Sequence, residues 1–293
     1  MIDLLLPTVS QGLLWSLMAL GVYLTYRVLD IADLTVEGTF PLGAAVAAEM
    51  LVKGFNPVTA ILVAGVAGSL AGVVTGLLHT KLKIPALLAG ILTMIALYSI
   101  NLRVMGKANL SLLRVDTVFS FAKNIGFNST MSVLVVGAAS TLIFGLLIYW
   151  FFGTEIGAAI RATGFNPQMI RAQGVNTNLT IVLGLLLSNA LVAISGAFIA
   201  QSNGFADVGM GVGTIVIGLA SVIIGEVLFG TRSFKNSLIS VVLGSVTYRI
   251  VIAAVLQMGM PPNDLKLFTA VLVALALALP LFKSRINARK AAE

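Results

Sequence analysis

The chain has 293 residues, of which 58% are hydrophobic and 10% charged, with a formal net charge of +7 and no cysteine. A soluble domain carries roughly 25% charged residues, so this composition excludes an ordinary soluble protein. The basic residues are scattered between apolar runs with no aromatic-interleaved cluster, so no nucleic-acid partner is expected. The missing cysteines exclude disulfides, thiolate metal sites and cysteine nucleophiles.

The start, Met1-Ile-Asp-Leu-Leu-Leu-Pro, lacks the basic stretch and small-residue cleavage site of a signal peptide, and the first span is expected to be retained. Apolar runs near the ~20 residues that cross a bilayer as a helix fall at approximately 8–28, 34–52, 58–80, 85–102, 131–152, 178–200, 210–229, 237–257 and 265–282. Alternating strand-like patterns are missing, which argues against a barrel. The expected fold is an all-α polytopic transmembrane bundle of about nine spans, forming one domain over residues 1–293. The count becomes eight or ten if 34–52 or 210–229 is re-entrant. Threading nine spans puts Arg27, Lys81, Lys83, Arg161, Arg171, Arg232, Lys235, Lys283, Arg285, Arg289 and Lys290 on one side of the bilayer. Lys53, Arg103, Lys107, Arg114, Lys123 and Lys266 fall on the other, and the imbalance predicts an external N-terminus and a cytoplasmic C-terminus.

The second segment carries Asp33, Glu37 and Pro41 where a span should begin. Either a loop leads into a helix starting near Thr39, or a broken helix lines a polar cavity. Its pattern recurs later in the chain. Gly21 and Tyr23 return as Gly196 and Phe198, Ala32-Asp33 as Ala206-Asp207, and Gly38-Thr39-x-x-Leu42-Gly43-x-Ala45 as Gly213-Thr214-x-x-Ile217-Gly218-x-Ala220. By the predicted topology the copies enter the membrane from opposite sides, so the chain reads as an inverted-repeat permease with halves at approximately 8–102 and 178–257. The expected pathway is lined by 33–45 and 207–221, through Asp33, Thr35, Glu37, Thr39, Gly43, Gly213, Thr214 and Ser221. The opposing reading is that these small residues only let helices pack.

In the third span Gly65, Gly68, Gly72 and Gly76 share one helix face, a pattern for close helix contact. The segment 103–130 either covers the mouth of a pathway or is simply solvated. Between Thr154 and Asn178 lies a polar island. Gly164 is expected to close one helix with a left-handed cap, Asn166 to N-cap the next, Pro167 to occupy its first turn and Gly174 to end it. This gives a short helix at approximately 166–173 presenting Met169, Ile170 and Arg171. Arg249 falls inside the eighth span and needs compensation. Glu49, Asp207 or Glu226 would pair with it structurally, or a substrate carboxylate would meet it.

No catalytic, metal-binding or cofactor motif is found: there is no phosphate-binding Gly-x-x-x-x-Gly-Lys-Ser/Thr, and His79 has no partner ligands in its neighbourhood. Three stretches carry a resemblance. They are Asp33-Leu-Thr-Val-Glu-Gly-Thr-Phe-Pro-Leu-Gly-Ala, Gly76-Leu-Leu-His-Thr-Lys-Leu-Lys-Ile-Pro-Ala-Leu-Leu-Ala-Gly-Ile-Leu-Thr-Met, and Ile160-Arg-Ala-Thr-Gly-Phe-Asn-Pro-Gln-Met-Ile-Arg-Ala-Gln-Gly-Val-Asn. With the Gly-rich segment 209–230, the chain resembles the permease subunits of bacterial ATP-binding-cassette (ABC) importers of the branched-chain amino-acid and ribose type. Glu37 makes it more similar to a subgroup associated with tryptophan and tyrosine uptake.

The resemblance implies a multi-pass protein of the bacterial cytoplasmic membrane that pairs with a second permease copy as a homodimer. It also implies two cytoplasmic ATPase subunits and an extracytoplasmic substrate-binding protein as partners, with ATP hydrolysed by the separate ATPase and amino acids as the substrate class. The family's ATPase-coupling helix corresponds to Asn166, Pro167, Gln168, Met169, Ile170, Arg171, Gln173 and Gly174. The alternative is an ion-coupled secondary carrier acting without an ATPase, which inverted repeats and broken helices also suit.

Overall fold

The computed structural model describes residues 2–259 except Arg114 and Ile125, together with 264, 267–271 and 274. The expected span at 265–282 and the C-terminal basic residues fall largely outside the described residues. The elements in order are α1 (Ile2–Tyr23) continued by a π-helical turn (Leu24–Val28), α2 (Val36–Val52), α3 (Pro57–Thr80), α4 (Ala86–Met105), β1 (Asn109–Ser111), α5 (Val118–Asn124) and α6 (Ser129–Phe152). They continue with α7 (Glu155–Phe165), α8 (Pro167–Ala172), α9 (Thr177–Asn203), β2 (Phe205–Asp207), a 3-10 turn (Val208–Gly211), α10 (Thr214–Phe229) and α11 (Phe234–Gln257).

Helix starts are chemically marked. The side chains of Asn56, Thr154, Asn166, Asn176 and Ser233 each accept a hydrogen bond from a first-turn backbone N–H, and prolines follow Asn56 and Asn166 directly. Seven helical stretches among the described residues are long and apolar enough to cross a membrane: Leu5–Val28, Pro57–Thr80, Ala86–Met105, Ser129–Phe152, Thr177–Asn203, Val208–Phe229 and Phe234–Gln257. On α3 the row Leu62, Val66, Leu70, Val74 and Leu77 is exposed at helical spacing, the pattern of a lipid-facing stripe.

The helix α2 accounts for the difference from nine spans within this range. It has 17 residues and begins at Val36, earlier than Thr39, and its turns are packed inside the bundle. Pro41 cannot donate to the carbonyl of Glu37 four residues back, and the 3-10 turn comes up against that freed carbonyl; a β-carbon on Gly211 would collide with it.

The centre of the bundle is α9, the most buried of the seven spans. It runs antiparallel to α1, with the Ser195 hydroxyl donating to the Leu14 carbonyl (2.8 Å) and the Ser188 hydroxyl to that of Gly21 (2.7 Å). It also runs antiparallel to α3. There Gly68 faces Asn189 and Ala193, Gly72 faces the Leu185 carbonyl and Gly76 faces Val182, so near that a β-carbon at any of the three would clash. The glycine face of α3 is a helix-packing surface, where close backbone approach supplies dispersion that lipid cannot.

At the end of the bundle opposite α7 and α8, β1 pairs antiparallel with β2 in the register Asn109↔Asp207, Leu110↔Ala206, Ser111↔Phe205. The segment 103–130 is more than solvated loop: Leu110, Leu112 and Phe119 are buried in the main core, and the Gln201 side chain accepts from the Val118 N–H (2.9 Å).

Candidate functional site

At one end of the bundle α7 and α8 stand on the tips of α1, α9 and α11. Gly164 lies within α7 and does not cap it. Its bare α-carbon lets the helix sit against the Val28 carbonyl, and α7 continues to Phe165. Asn166 alone separates the two helices, its side-chain oxygen accepting from Met169 N–H (3.0 Å), and Gly174 adopts φ +87° after α8. The face that α8 shows to solvent differs from the expected one. Ile170 turns inward and is 7% exposed, whereas Met169 is 46% and Phe165 91% exposed. Arg171 folds back to donate from Nη2 to the Thr177 hydroxyl (2.7 Å), and Gln168 and Gln173 are exposed. Behind Phe165 a cavity of about 440 Å³ is lined by Tyr23, Tyr26, Arg27, Arg161 and Phe234. Arg161 lies over the Phe234 ring (5.2 Å), and Arg27 pairs with Glu226 (3.0 Å).

Deeper in the bundle the two short-started helices α2 and α10 meet. Asp33 Oδ1 accepts from Thr35 N–H (2.9 Å) as Asp207 Oδ1 accepts from Gly209 N–H (2.7 Å), so both repeat aspartates close the same two-residue turn. Their surroundings differ. Asp33 is buried, and its Oδ2 receives the Asn189 side-chain N–H (2.8 Å), whose Oδ1 in turn accepts from the Thr39 hydroxyl (2.8 Å). A second run of hydroxyls links Thr35 to Thr75 (2.8 Å) and Thr75 to Thr93 (2.9 Å). Every polar group in this network has a partner, the condition under which a buried polar network rigidifies a core. Thr35, Thr39, Gly43, Thr214 and Ser221 are likewise buried within the single chain. Glu37 and Gly213 are only partly covered, and Glu37 Oε1 accepts the Gly213 N–H (3.0 Å) at the start of α10.

Gly213, in the left-handed region at φ +85°, also borders a cavity of about 320 Å³ between α10 and α11, closed in part by Thr269 and Ala270, that includes Val216, Ile217, Tyr248 and Arg249. The ion pairs expected for Arg249 do not form among the described residues. Glu226 is held by Arg27, Glu49 by Lys53 (3.0 Å), and Asp207 receives the Asn109 side chain (3.1 Å). Arg249 instead places its guanidinium carbon over the Trp15 ring (4.0 Å to the centroid), and Trp15 packs at a tilt on Phe40 (5.1 Å).

A family model described as branched-chain amino acid transport system, permease component, matches residues 4–278. The chain belongs to this permease family. It is 43% identical over 274 residues, 94% of this chain and 90% of the other, to a tyrosine transport system permease protein of Clostridioides difficile. It is 32% identical to an uncharacterized protein of Rickettsia prowazekii, over 94% of this chain and 97% of that one. A ribose import permease of Haemophilus influenzae is 26% identical over 67% of this chain and 60% of that one. Among solved structures, a metal-chelate type ABC transporter in an inward-facing conformation aligns over 96% of this chain and 85% of that one, with a TM-score of 0.50 and 14% identity, a likeness of fold.

Three side chains of the permease escaped the sequence reading. Phe165 falls in the expected helix-to-helix connection, and its exposure at the end of α7 emerges only from the fold. Asn189 sits in an apolar run and is an isolated polar residue in a span, a signal that was available. Trp15 had no visible link to Arg249, because the two lie near opposite ends of the chain.

Proposed function

We propose that this permease forms the translocation pathway of an ATP-driven importer of amino acids with aromatic side chains and that α7–α8 couples it to a separate ATPase. The observation that carries the coupling is the pair Phe165 and Met169, apolar and exposed on a capped, polar-flanked element at the end of the bundle. Apolar side chains held outside lipid mark a protein-binding surface. These residues carry no phosphate-binding Gly-x-x-x-x-Gly-Lys-Ser/Thr, which agrees with an ATPase on a separate polypeptide. The aromatic substrate class is supported by the relative named as a tyrosine transport permease.

In this reading Arg27, Lys81, Lys83, Arg161, Arg171, Arg232 and Lys235 mark the α7–α8 end as cytoplasmic by the positive-inside rule, so the N-terminus is external and the C-terminus cytoplasmic after nine spans, with α2 and 265–282 completing the count. The antiparallel α1 and α9 and the matching aspartate turns support inverted halves at approximately 8–102 and 178–257. A homodimer supplies the second wall of the pathway, and an extracytoplasmic binding protein delivers substrate at the β1–β2 end. Of the residues first assigned to the pathway, Glu37 and Gly213 border it, while Asp33, Thr35, Thr39, Gly43, Thr214 and Ser221 hold the helices that shape it.

The test is reconstitution in proteoliposomes. Permease, ATPase and binding protein together should take up labelled L-tyrosine only with ATP. Uptake by the permease alone under a proton or sodium gradient would replace this reading by that of a secondary carrier.

A further inference from the structure

We propose that the cavity between α10 and α11 is a carboxylate subsite, in which Arg249 holds the α-carboxylate of the amino acid as it crosses. The proposal rests on the importer reading above for its choice of ligand, and on four features of this chain for the site itself.

The first is an uncompensated cation. Arg249 lies within a membrane-crossing helix, and among the described residues no carboxylate pairs with it. Its Nε is enclosed by protein and has no hydrogen-bond partner among the described residues. A cation in a membrane span is costly and is found facing a partner or a cavity. If the position served packing alone, an apolar side chain of similar volume would fill it at lower cost.

The second is orientation. The guanidinium carbon lies over the Trp15 ring, 4.0 Å from its centroid, and Phe40 backs Trp15. A guanidinium engaged by a ring keeps its N–H donors for a ligand, and a carboxylate can take two of them at once. The ring contact also offsets part of the cost of burying the cation, so the ligand need not be held tightly.

The third is the space. The cavity of about 320 Å³ lies at the small end of the about 300–1,000 Å³ typical of small-molecule sites. Its walls include Val212, Val216, Ile217 and Ile252, which suit an apolar or aromatic side chain, and Arg249 supplies its cationic group. The fourth is position. Gly213 forms part of the wall at the start of α10, and this is the point at which α10 is tied to α2 through Glu37.

The test uses the full-length chain in nanodiscs of neutral phosphatidylcholine. The sequence has two tryptophans, so Trp150→Phe leaves Trp15 as the single reporter, in direct contact with Arg249. L-tyrosine and 3-(4-hydroxyphenyl)propionate should each change Trp15 emission saturably. Tyramine, which keeps the ring and amine but lacks the carboxylate, should bind at least tenfold more weakly. In the same background Arg249→Met should weaken the L-tyrosine response at least tenfold and Arg249→Lys by less.

An equal response to tyramine overturns the proposal, and this comparison needs no Arg249 variant to fold. An unchanged affinity in Arg249→Met also overturns it. So does a Trp15 signal that follows added phosphatidylglycerol and ignores L-tyrosine, which would assign the cavity to a lipid phosphate. The importer reading is scored separately by ATP-driven uptake in the full complex. Uptake with no carboxylate-dependent Trp15 response removes the subsite and leaves the importer, whereas the response without ATP-driven uptake leaves the subsite and removes the importer.

Discussion

The exposed end of α7 makes a quantitative prediction about ATPase binding. Phe165 is 91% exposed, so nearly its whole ring is available for burial in a partner, and Met169, at 46%, offers about half of its side chain. Full burial of a large apolar side chain contributes about 1.5–3 kcal/mol. Phe165→Ser should therefore cost about 2 kcal/mol of association, close to a thirty-fold rise in Kd, and Met169→Ser about 1 kcal/mol, close to five-fold. Because both side chains point away from the bundle, neither variant should lower the permease's own thermal stability.

Ile170 provides the contrasting control. It is 7% exposed and packs inward, so Ile170→Ser should reduce permease stability by about 2–4 kcal/mol and affect binding only through that loss. The assay is biolayer interferometry of the purified ATPase on nanodisc-held permease, paired with melting curves. A Phe165→Ser variant that binds within two-fold of the parent would refute the assignment of this face as the docking surface.

Three further predictions follow from packing and access. Gly72→Val drives a side chain into the Leu185 carbonyl and should destabilise by about 1–3 kcal/mol, whereas Gly145→Val, with no heavy atom near its would-be β-carbon, should be neutral in the same melting assay. Asn189→Leu leaves Asp33 Oδ2 unpaired and the Thr39 hydroxyl with only the Thr35 carbonyl, and a buried polar group left without its partner costs about 1–3 kcal/mol; Asp33→Leu in the same chain should recover part of that loss, and strict additivity in the double-mutant cycle would contradict the coupling. Single cysteines in this cysteine-free chain should react with a water-soluble thiol reagent at Val212 and Val216 in a nucleotide-dependent way, and stay unreactive at Thr39 and Ser221; labelling at the buried positions would return the pathway to the helix interiors.

What the sequence made legible was local. Asn-Pro at 56–57 and 166–167 marks helix starts because the side chain and the ring each solve a first-turn problem without help from tertiary structure. The glycines of α3 were readable as a packing face for a similar reason, since spacing alone places them together. The inward turn of Ile170 was not readable: α8 has too few turns to establish a buried stripe, and its orientation comes from Gly164 seating α7 on the Val28 carbonyl. Nor did the polarity of 33–45 disclose its burial. Asp33 and Thr39 look like pathway residues until Asn189, from a distant apolar run, satisfies both of them.

The contacts also divide the bundle into parts held with unequal strength. Around α9, glycine-mediated packing of α3 and the enclosed network of Asp33, Asn189, Thr39, Thr35, Thr75 and Thr93 bind α2, α3, α4 and α9 together. Moving one of these helices would expose several polar groups at once. On the other side α10 and α11 are bound closely to each other, since β-carbons on Gly225 and Gly244 would strike the Ser240 and Ser221 carbonyls. At the start of α10, the described side-chain link to α2 is the Glu37–Gly213 hydrogen bond, and Gly213 has the φ +85° that a side-chain-bearing residue would resist. A hydrogen bond to a charged group is worth about 1.5–3 kcal/mol, less than the cost of opening the Asp33 network. The pair is also held to α1, through the Ser245 hydroxyl on the Gly12 carbonyl (2.9 Å) and through Arg27 on Glu226 (3.0 Å), so a rearrangement that widens the Arg249 cavity is cheapest if it parts only the start of α10 from α2, where this one bond breaks.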